Sequence, residues 1–103
     1  MEVEIKTSTQ PKKKLMAIFY ENGKKIKTQH FGSKPNKDFT IYSKENKKIA
    51  EEKKRNYIAR HKVNEDWSDP KKAGTLSRYI LWNKPTVQSS IRDYVKRFNL
   101  KLK

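Results

Sequence analysis

The chain has 103 residues, of which 26 are Lys or Arg and 11 are Asp or Glu, so its formal net charge is +15. This length supports one hydrophobic core, and the 11% aromatic content predicts a small core that contains aromatic rings. The absence of cysteine excludes disulfide bonds and thiolate metal sites, while the unbalanced charge predicts an acidic or polyanionic partner.

The first 43 residues are typical of a small antiparallel sheet. Apolar and charged residues alternate over residues 1–7, as in a short strand exposed on one face. Residues 14–20 and 25–31 flank Asn22-Gly23, a dipeptide that favours a tight hairpin turn. Residues 38–42 are rich in β-branched and aromatic types and predict a further strand.

The remaining residues predict three helices. Residues 45–62 lack Gly and Pro and predict the first, with Ile49, Ala50, Tyr57, Ile58 and His61 along its inner stripe. Asp69-Pro70 supplies a cap and a first-turn proline for a second helix that reaches Trp82. The third follows Pro85, and its apolar stripe consists of Val87, Ile91, Tyr94, Val95 and Phe98.

The predicted fold class is therefore α+β, with a small antiparallel sheet (an N-terminal hairpin plus one or two strands) followed by three helices. We predict a single basic domain over residues 1–103, with a sheet part at 1–43 and a helical part at 45–98. The ends of the domain are expected to be flexible in isolation.

Few residues suit catalysis, since the chain has two His, no Cys and no glycine-rich phosphate loop. His61 and Glu65 are four residues apart with Asp66 and Asp69 nearby, but this spacing favours a solvated helix end over a metal site. We predict a non-enzymatic protein with no catalytic residues, no metal, no cofactor and no small-molecule substrate. The longest apolar run, residues 15–20, is too short for membrane insertion.

Arginines recur beside aromatic residues or histidine in the helical part, a pattern typical of nucleic-acid binding. Neighbours in a helix point about 100° to 200° apart, so we expect the aromatic rings to face the core and the cations to face outward. Trp67 and Trp82 flank the second helix as core residues or as anchors of an interface. The candidate interaction residues are Arg55, Arg60, His61, Trp67, Arg78, Trp82, Arg92, Lys96 and Arg97.

Two blocks are distinctive, Tyr-Ile-Ala-Arg-His at residues 57–61 and Ala-Gly-Thr-Leu-Ser-Arg-Tyr-Ile-Leu-Trp at residues 73–82. With shorter motifs between residues 15 and 98, they resemble a small basic family of unassigned function encoded by nucleocytoplasmic large DNA viruses of eukaryotes. The resemblance implies a virus-encoded protein that works in the virion, and in the host cytoplasm or nucleus during assembly. It brings no established activity and no catalytic residues.

Charge and resemblance together predict a virion structural protein. Our first hypothesis is a minor capsid or internal scaffold component that docks on acidic surfaces of larger capsid proteins through a basic, Trp-containing surface. The alternative is a sequence-nonspecific protein that binds double-stranded DNA and helps to package the viral genome. Salt separates the two hypotheses, because phosphate contacts weaken steeply with salt and a shape-matched protein contact resists it.

Overall fold

The computed structural model describes residues 1–103, which form three strands, four helices and a short final strand. The elements are β1 (Glu2–Thr7), β2 (Lys13–Glu21), β3 (Lys24–Ser33), α1 (Phe39–Glu45), α2 (Lys47–His61), α3 (Ala73–Leu76) with a π-helical continuation (Ser77–Leu81), α4 (Val87–Arg97) and β4 (Lys101–Leu102). The predicted α+β class is confirmed, with four helices in place of the three expected. No helix is long and apolar enough to cross a membrane.

The sheet has the strand order β3-β2-β1-β4, with β2 antiparallel to both of its neighbours. The β2–β3 hairpin turns at Asn22 and Gly23, whose φ angles of 52° and 79° are the left-handed values of a type I′ turn. The hairpin prediction is therefore confirmed. The sheet is nevertheless mixed, because β4 pairs in parallel with β1. The Lys101 N–H donates to the Met1 carbonyl at 3.2 Å, so backbone hydrogen bonds hold this end of the chain.

Residues 38–42, which we predicted as a strand, instead begin helix α1, and that prediction is wrong. The Asp38 carboxylate caps the helix by accepting hydrogen bonds from the N–H groups of Thr40 at 2.9 Å and Ile41 at 3.3 Å. Its second oxygen lies 2.7 Å from Lys14 Nζ. This cap and its buried ion pair override the strand propensity of the segment. The N-terminal run of strands consequently ends at β3.

Asn46 separates α1 from α2 and caps the second helix, accepting hydrogen bonds from the N–H groups of Lys48 and Ile49. The helix predicted at residues 45–62 is therefore confirmed as α2, beginning two residues later. Ala50 and Tyr57 are buried as predicted, but Ile49 is 46% exposed. Adjacent helical residues point about 100° apart, so Ile49 cannot share the face that buries Ala50.

The Asp69-Pro70 segment forms a turn and does not begin a helix, contrary to the prediction. The Asp69 side chain accepts from the Lys71 N–H at 3.0 Å, and its carbonyl accepts from the Lys72 N–H at 3.3 Å. This Asx-type turn delays α3 until Ala73.

The hydrophobic core lies between one face of the sheet and the helices α3 and α4. Its buried members are Val3, Ala17, Phe19, Phe31, Leu76, Ile80, Leu81, Ile91 and Tyr94. The apolar stripe predicted for the third helix therefore reaches the core. The Tyr94 hydroxyl donates to the Pro70 carbonyl at 2.7 Å, so this ring buries its apolar body and still satisfies its polar tip. Helices α1 and α2 pack together beside this core and leave a cleft at its edge.

Candidate functional site

The cationic side chains are mostly uncompensated. Only five of the 26 Lys and Arg residues lie within 4.0 Å of a carboxylate, which leaves 21 with no acidic partner. The five pairs are Lys6–Glu4, Lys14–Asp38, Lys37–Glu45, Lys71–Asp69 and Arg97–Asp93. Like charges left unpaired repel one another, so a bound polyanion lowers the electrostatic free energy of the protein.

A cleft of about 610 Å³ opens between the far end of the β2–β3 hairpin, the loop at residues 34–38, helix α2 and the π-helical turn. Five cationic side chains line it, from three separate segments of the chain: Lys13, Lys14, Lys37, Lys53 and Arg60. Its two acidic residues are already engaged, because Asp38 binds Lys14 and Glu65 binds His61. The free charge inside the cleft is therefore positive.

A stack of three rings forms the wall of this cleft. Tyr57 lies parallel to Trp82, with ring centroids 4.4 Å apart and planes 7° apart, and its other face meets His61 at 4.1 Å. Tyr42 stands near Trp82 at 6.4 Å with its ring tilted. Burial raises the pKa of the Tyr57 hydroxyl above its ordinary value, so this hydroxyl stays protonated at neutral pH.

The π-helical turn determines where Trp82 lies. The Trp82 N–H donates to the Ser77 carbonyl at 3.0 Å, five residues back, which is the hydrogen bond of a π-helix. Arg78 Nη1 then donates to the Trp82 carbonyl at 2.9 Å. The Arg78 guanidinium also lies over the rings of Trp67 at 5.5 Å and Tyr79 at 4.9 Å. Arg78 therefore fixes Trp82 from behind the cleft.

Arg78 is itself partly buried without a carboxylate partner, and its Nε has no hydrogen-bond acceptor. Burial lowers the pKa of the Arg78 guanidinium, and the neighbouring Arg97 adds to the effect. The pKa of Lys54 is also lowered, first by burial and then by the charge of Arg78. Lys54 Nζ donates to the Asn83 carbonyl at 2.8 Å, which ties α2 to the segment after the π-helical turn.

His61 belongs to a hydrogen-bonded chain at the rim of the cleft. Its Nδ1 bonds a carboxylate oxygen of Glu65, and the other oxygen accepts from Trp67 Nε1 at 3.1 Å. No group of three or more His, Asp or Glu side chains is arranged to hold a metal ion. The chain of bonds instead orients His61 against Tyr57 and so completes the ring stack.

The structure separates the nine predicted interaction residues into two groups. Arg60, His61 and Trp82 line the cleft, while Trp67 and Arg78 support it from behind. The remaining four lie elsewhere on exposed helix surfaces: Arg55 on α2, and Arg92, Lys96 and Arg97 on α4. Arg97 pairs with Asp93 at 3.3 Å and stacks on Tyr79 at 4.4 Å, so it is partly engaged within the chain.

Several cleft residues were not among the predicted ones. On α2, Lys53, Asn56, Tyr57, Arg60 and His61 follow the spacing i, i+3, i+4, i+7 and i+8, which places them on one helical face. That stripe of polar and aromatic residues could have been recognised in the sequence. Lys13 and Lys37 carried no such signal, because only the tertiary fold brings the hairpin and the loop at residues 34–38 to α2.

Fold and site together define a small, strongly basic α+β domain with an aromatic-walled cationic cleft. A sequence family described as a family of unknown function (DUF5754) matches residues 3–61, and the chain belongs to this family. The match runs from β1 to the end of α2 and includes Arg55, Arg60 and His61. No curated protein and no solved structure matches the chain.

Proposed function

We propose that this protein is a non-enzymatic virion component of a large DNA virus, and that it binds double-stranded DNA without sequence specificity to help package the genome. The observation that carries the proposal is the set of 21 cationic side chains without an acidic partner. Phosphate contacts need only such cations, and the counterions that they displace supply most of the binding free energy.

Exposed cations lie on more than one element of the fold, so they offer phosphate contacts at several points of the surface. Two exposed triplets illustrate this: Lys24, Lys25 and Lys27 on the edge strand β3, and Lys47, Lys48 and Arg55 on α2. The long axis of the protein is 43 Å, which matches about a dozen base pairs at roughly 3.4 Å each. One molecule therefore has the length and charge to contact several phosphates along one side of a duplex.

Apolar features favour DNA over a protein partner. The exposed large apolar side chains are Ile26, Ile49, Val63 and Leu102, which come from four different parts of the chain. The two tryptophans are engaged internally, with Trp82 stacked on Tyr57 and Trp67 beneath Arg78. Interfaces between proteins usually rest on a central cluster of exposed aromatic anchors, so this surface suits phosphates better.

The first test is the salt dependence of binding to a mixed-sequence duplex, measured by fluorescence anisotropy. Contact with roughly four phosphates predicts a log–log slope of about −3.6. Replacing either triplet by glutamine should weaken binding and flatten the slope to a similar extent. The matched variant Glu51→Gln/Glu52→Gln removes two exposed acids from α2 and should tighten binding. A slope shallower than about −1, or insensitivity to both triplets, overturns the proposal.

A minor capsid or internal scaffold role is the second candidate, and the edge of β3 favours it. This ten-residue strand has β2 on one side only, so part of its backbone is free to pair with a strand of a larger capsid protein. Its lysines suit an acidic partner, while they also discourage unspecific strand pairing.

Fractionation of purified particles distinguishes the two candidates. Graded detergent and salt treatment followed by quantitative mass spectrometry should recover a packaging protein with the DNA core, and a capsid component with the shell. Arg78→Ala and Trp82→Ala supply a second comparison. Loss of the protein from particles with unchanged DNA binding supports the capsid role, whereas retention in the core supports packaging.

A further inference from the structure

The cleft combines cations, aromatic rings and an enclosed volume. Binding of a DNA backbone on the outer surface needs only the cations. Its volume of about 610 Å³ falls within the usual range of small-ligand sites, which is roughly 300–1,000 Å³. Three of its five cations, Lys13, Lys53 and Arg60, have no carboxylate within 4.0 Å. Since Asp38 and Glu65 are already bonded within the chain, an anionic ligand meets no free carboxylate there.

Cations and aromatic rings adjoin one another inside this cleft. Lys37 Nζ and Lys53 Nζ lie 5.8 Å and 5.9 Å from the centroid of the Tyr42 ring. Beside them stands the stack of Trp82, Tyr57 and His61, which ends in a partly exposed histidine. A ligand that fits both features carries a negative group and a flat aromatic group close together.

Polar, uncharged side chains complete the lining. Asn36 and Asn56 provide amide donors and acceptors, and Ser33 and Ser77 provide hydroxyls. Such groups can bond the edge of a nucleobase or a sugar hydroxyl. An acidic peptide would use the cations but has no counterpart for the aromatic wall, so the lining favours a nucleotide.

We propose that this cleft binds one nucleotide, with its phosphate among Lys13, Lys53 and Arg60 and its base against the aromatic wall. The nucleotide is either a free nucleoside 5′-phosphate or one unit of a single-stranded nucleic acid, because both present the same chemistry. The proposal does not depend on duplex binding, since the lysines of β3 lie outside the cleft.

Trp82 is a built-in reporter for this site. Because Trp67 helps to orient His61, all titrations use the unaltered full chain, and the variant Trp67→Phe serves only to assign a fluorescence change to Trp82. The probes are adenosine 5′-monophosphate, a short single-stranded oligo(dA), adenosine without phosphate, inorganic phosphate and polyglutamate. Calorimetry runs in parallel, so binding that leaves Trp82 fluorescence unchanged is still detected.

We expect saturable binding of the nucleotide or the oligonucleotide, and much weaker binding of adenosine or phosphate alone. Lys53→Gln and Arg60→Gln should each weaken it by roughly tenfold, as expected for loss of one charge-assisted contact. The matched control Lys24→Gln/Lys25→Gln should leave nucleotide binding unchanged while it weakens duplex binding.

The probes also separate the two sources of the nucleotide. Tighter binding of the monophosphate identifies a free nucleotide as the ligand, and tighter binding of the oligonucleotide identifies a unit of a strand. If neither probe produces a heat change or a change in Trp82 fluorescence, the proposal is overturned. Equal binding of polyglutamate, or unchanged affinity in both cleft variants, overturns it as well, even where duplex binding persists.

Discussion

Gly32 at the end of β3 is a position where one added methyl group should be costly. Its φ angle is +82°, and a Cβ atom there would lie 2.6 Å from Leu81 Cδ1 and 3.4 Å from Lys14 Cβ. The left-handed backbone costs a residue with a side chain about 1–2 kcal/mol. Forcing a methyl group into a filled space costs about 1–3 kcal/mol more. Gly32→Ala should therefore lower the free energy of unfolding by about 3 kcal/mol.

Gly23 provides the matched control, because its φ angle of +79° is nearly the same and no atom lies within 4 Å of its added Cβ. Gly23→Ala should cost about 1 kcal/mol, which is the backbone contribution alone. Urea denaturation of both variants measures the difference, and Gly32→Ala should also have a melting temperature roughly 10 °C below that of Gly23→Ala. Equal costs for the two variants would refute the packing argument, since they would mean that Leu81 moves aside freely.

Three further predictions concern buried polar groups. Asp38→Ala removes the helix cap and also leaves the part-buried Lys14 charge unpaired, so it should cost about 3–5 kcal/mol in urea denaturation. Asp38→Asn loses the charge partner but keeps the cap and should cost less; equal costs would contradict this separation. Burial raises the pKa of Tyr57 and Tyr94 above the ordinary 10.0, so the stability due to their neutral hydroxyls is complete below pH 10.0 and is lost as the pH rises further. Circular dichroism and near-ultraviolet absorbance should report unfolding together with tyrosine ionisation, whereas titration of all five tyrosines near pH 10.0 in an intact fold would contradict their burial. Tyr94→Phe removes the hydrogen bond to Pro70 and should cost about 1 kcal/mol in thermal denaturation; an unchanged melting temperature would argue against that bond.

The elements that sequence reasoning identified are those with a local cause. Asn22-Gly23 supplies both left-handed φ angles of the hairpin turn, and the stripe of α4 repeats over three turns without interruption. The wrong assignment at residues 38–42 and the unpredicted strand β4 have distant causes. Asp38 gains its partner Lys14 from 24 positions away, and the two residues of β4 form a strand only because β1 lies beside them. The secondary-structure propensity of a short segment reports neither of these long-range contacts.

The same difference between local and distant causes applies to the candidate site. Arg60, His61 and Trp82 were selected from their own segments, and the structure brings them to one cleft. Tyr57 was predicted as a core residue, and it is buried, but it also links Trp82 to His61. The cleft itself was not predictable, because its walls meet only after the hairpin, α2 and the π-helical turn have packed. A π-helical turn has no clear propensity signature, so the position of Trp82 could not be derived either.

The pairing of β4 with β1 joins two segments from opposite ends of the chain, with Glu2 beside Lys101 and Val3 beside Leu102. During translation, at roughly 5–20 residues per second, β1 can pair with β2 within seconds of its synthesis. Its other edge stays bare until Lys101 and Leu102 have emerged from the ribosome. One edge of β1 therefore has no strand beside it until these two residues are available, and completing the sheet requires a contact between segments that are far apart in the sequence.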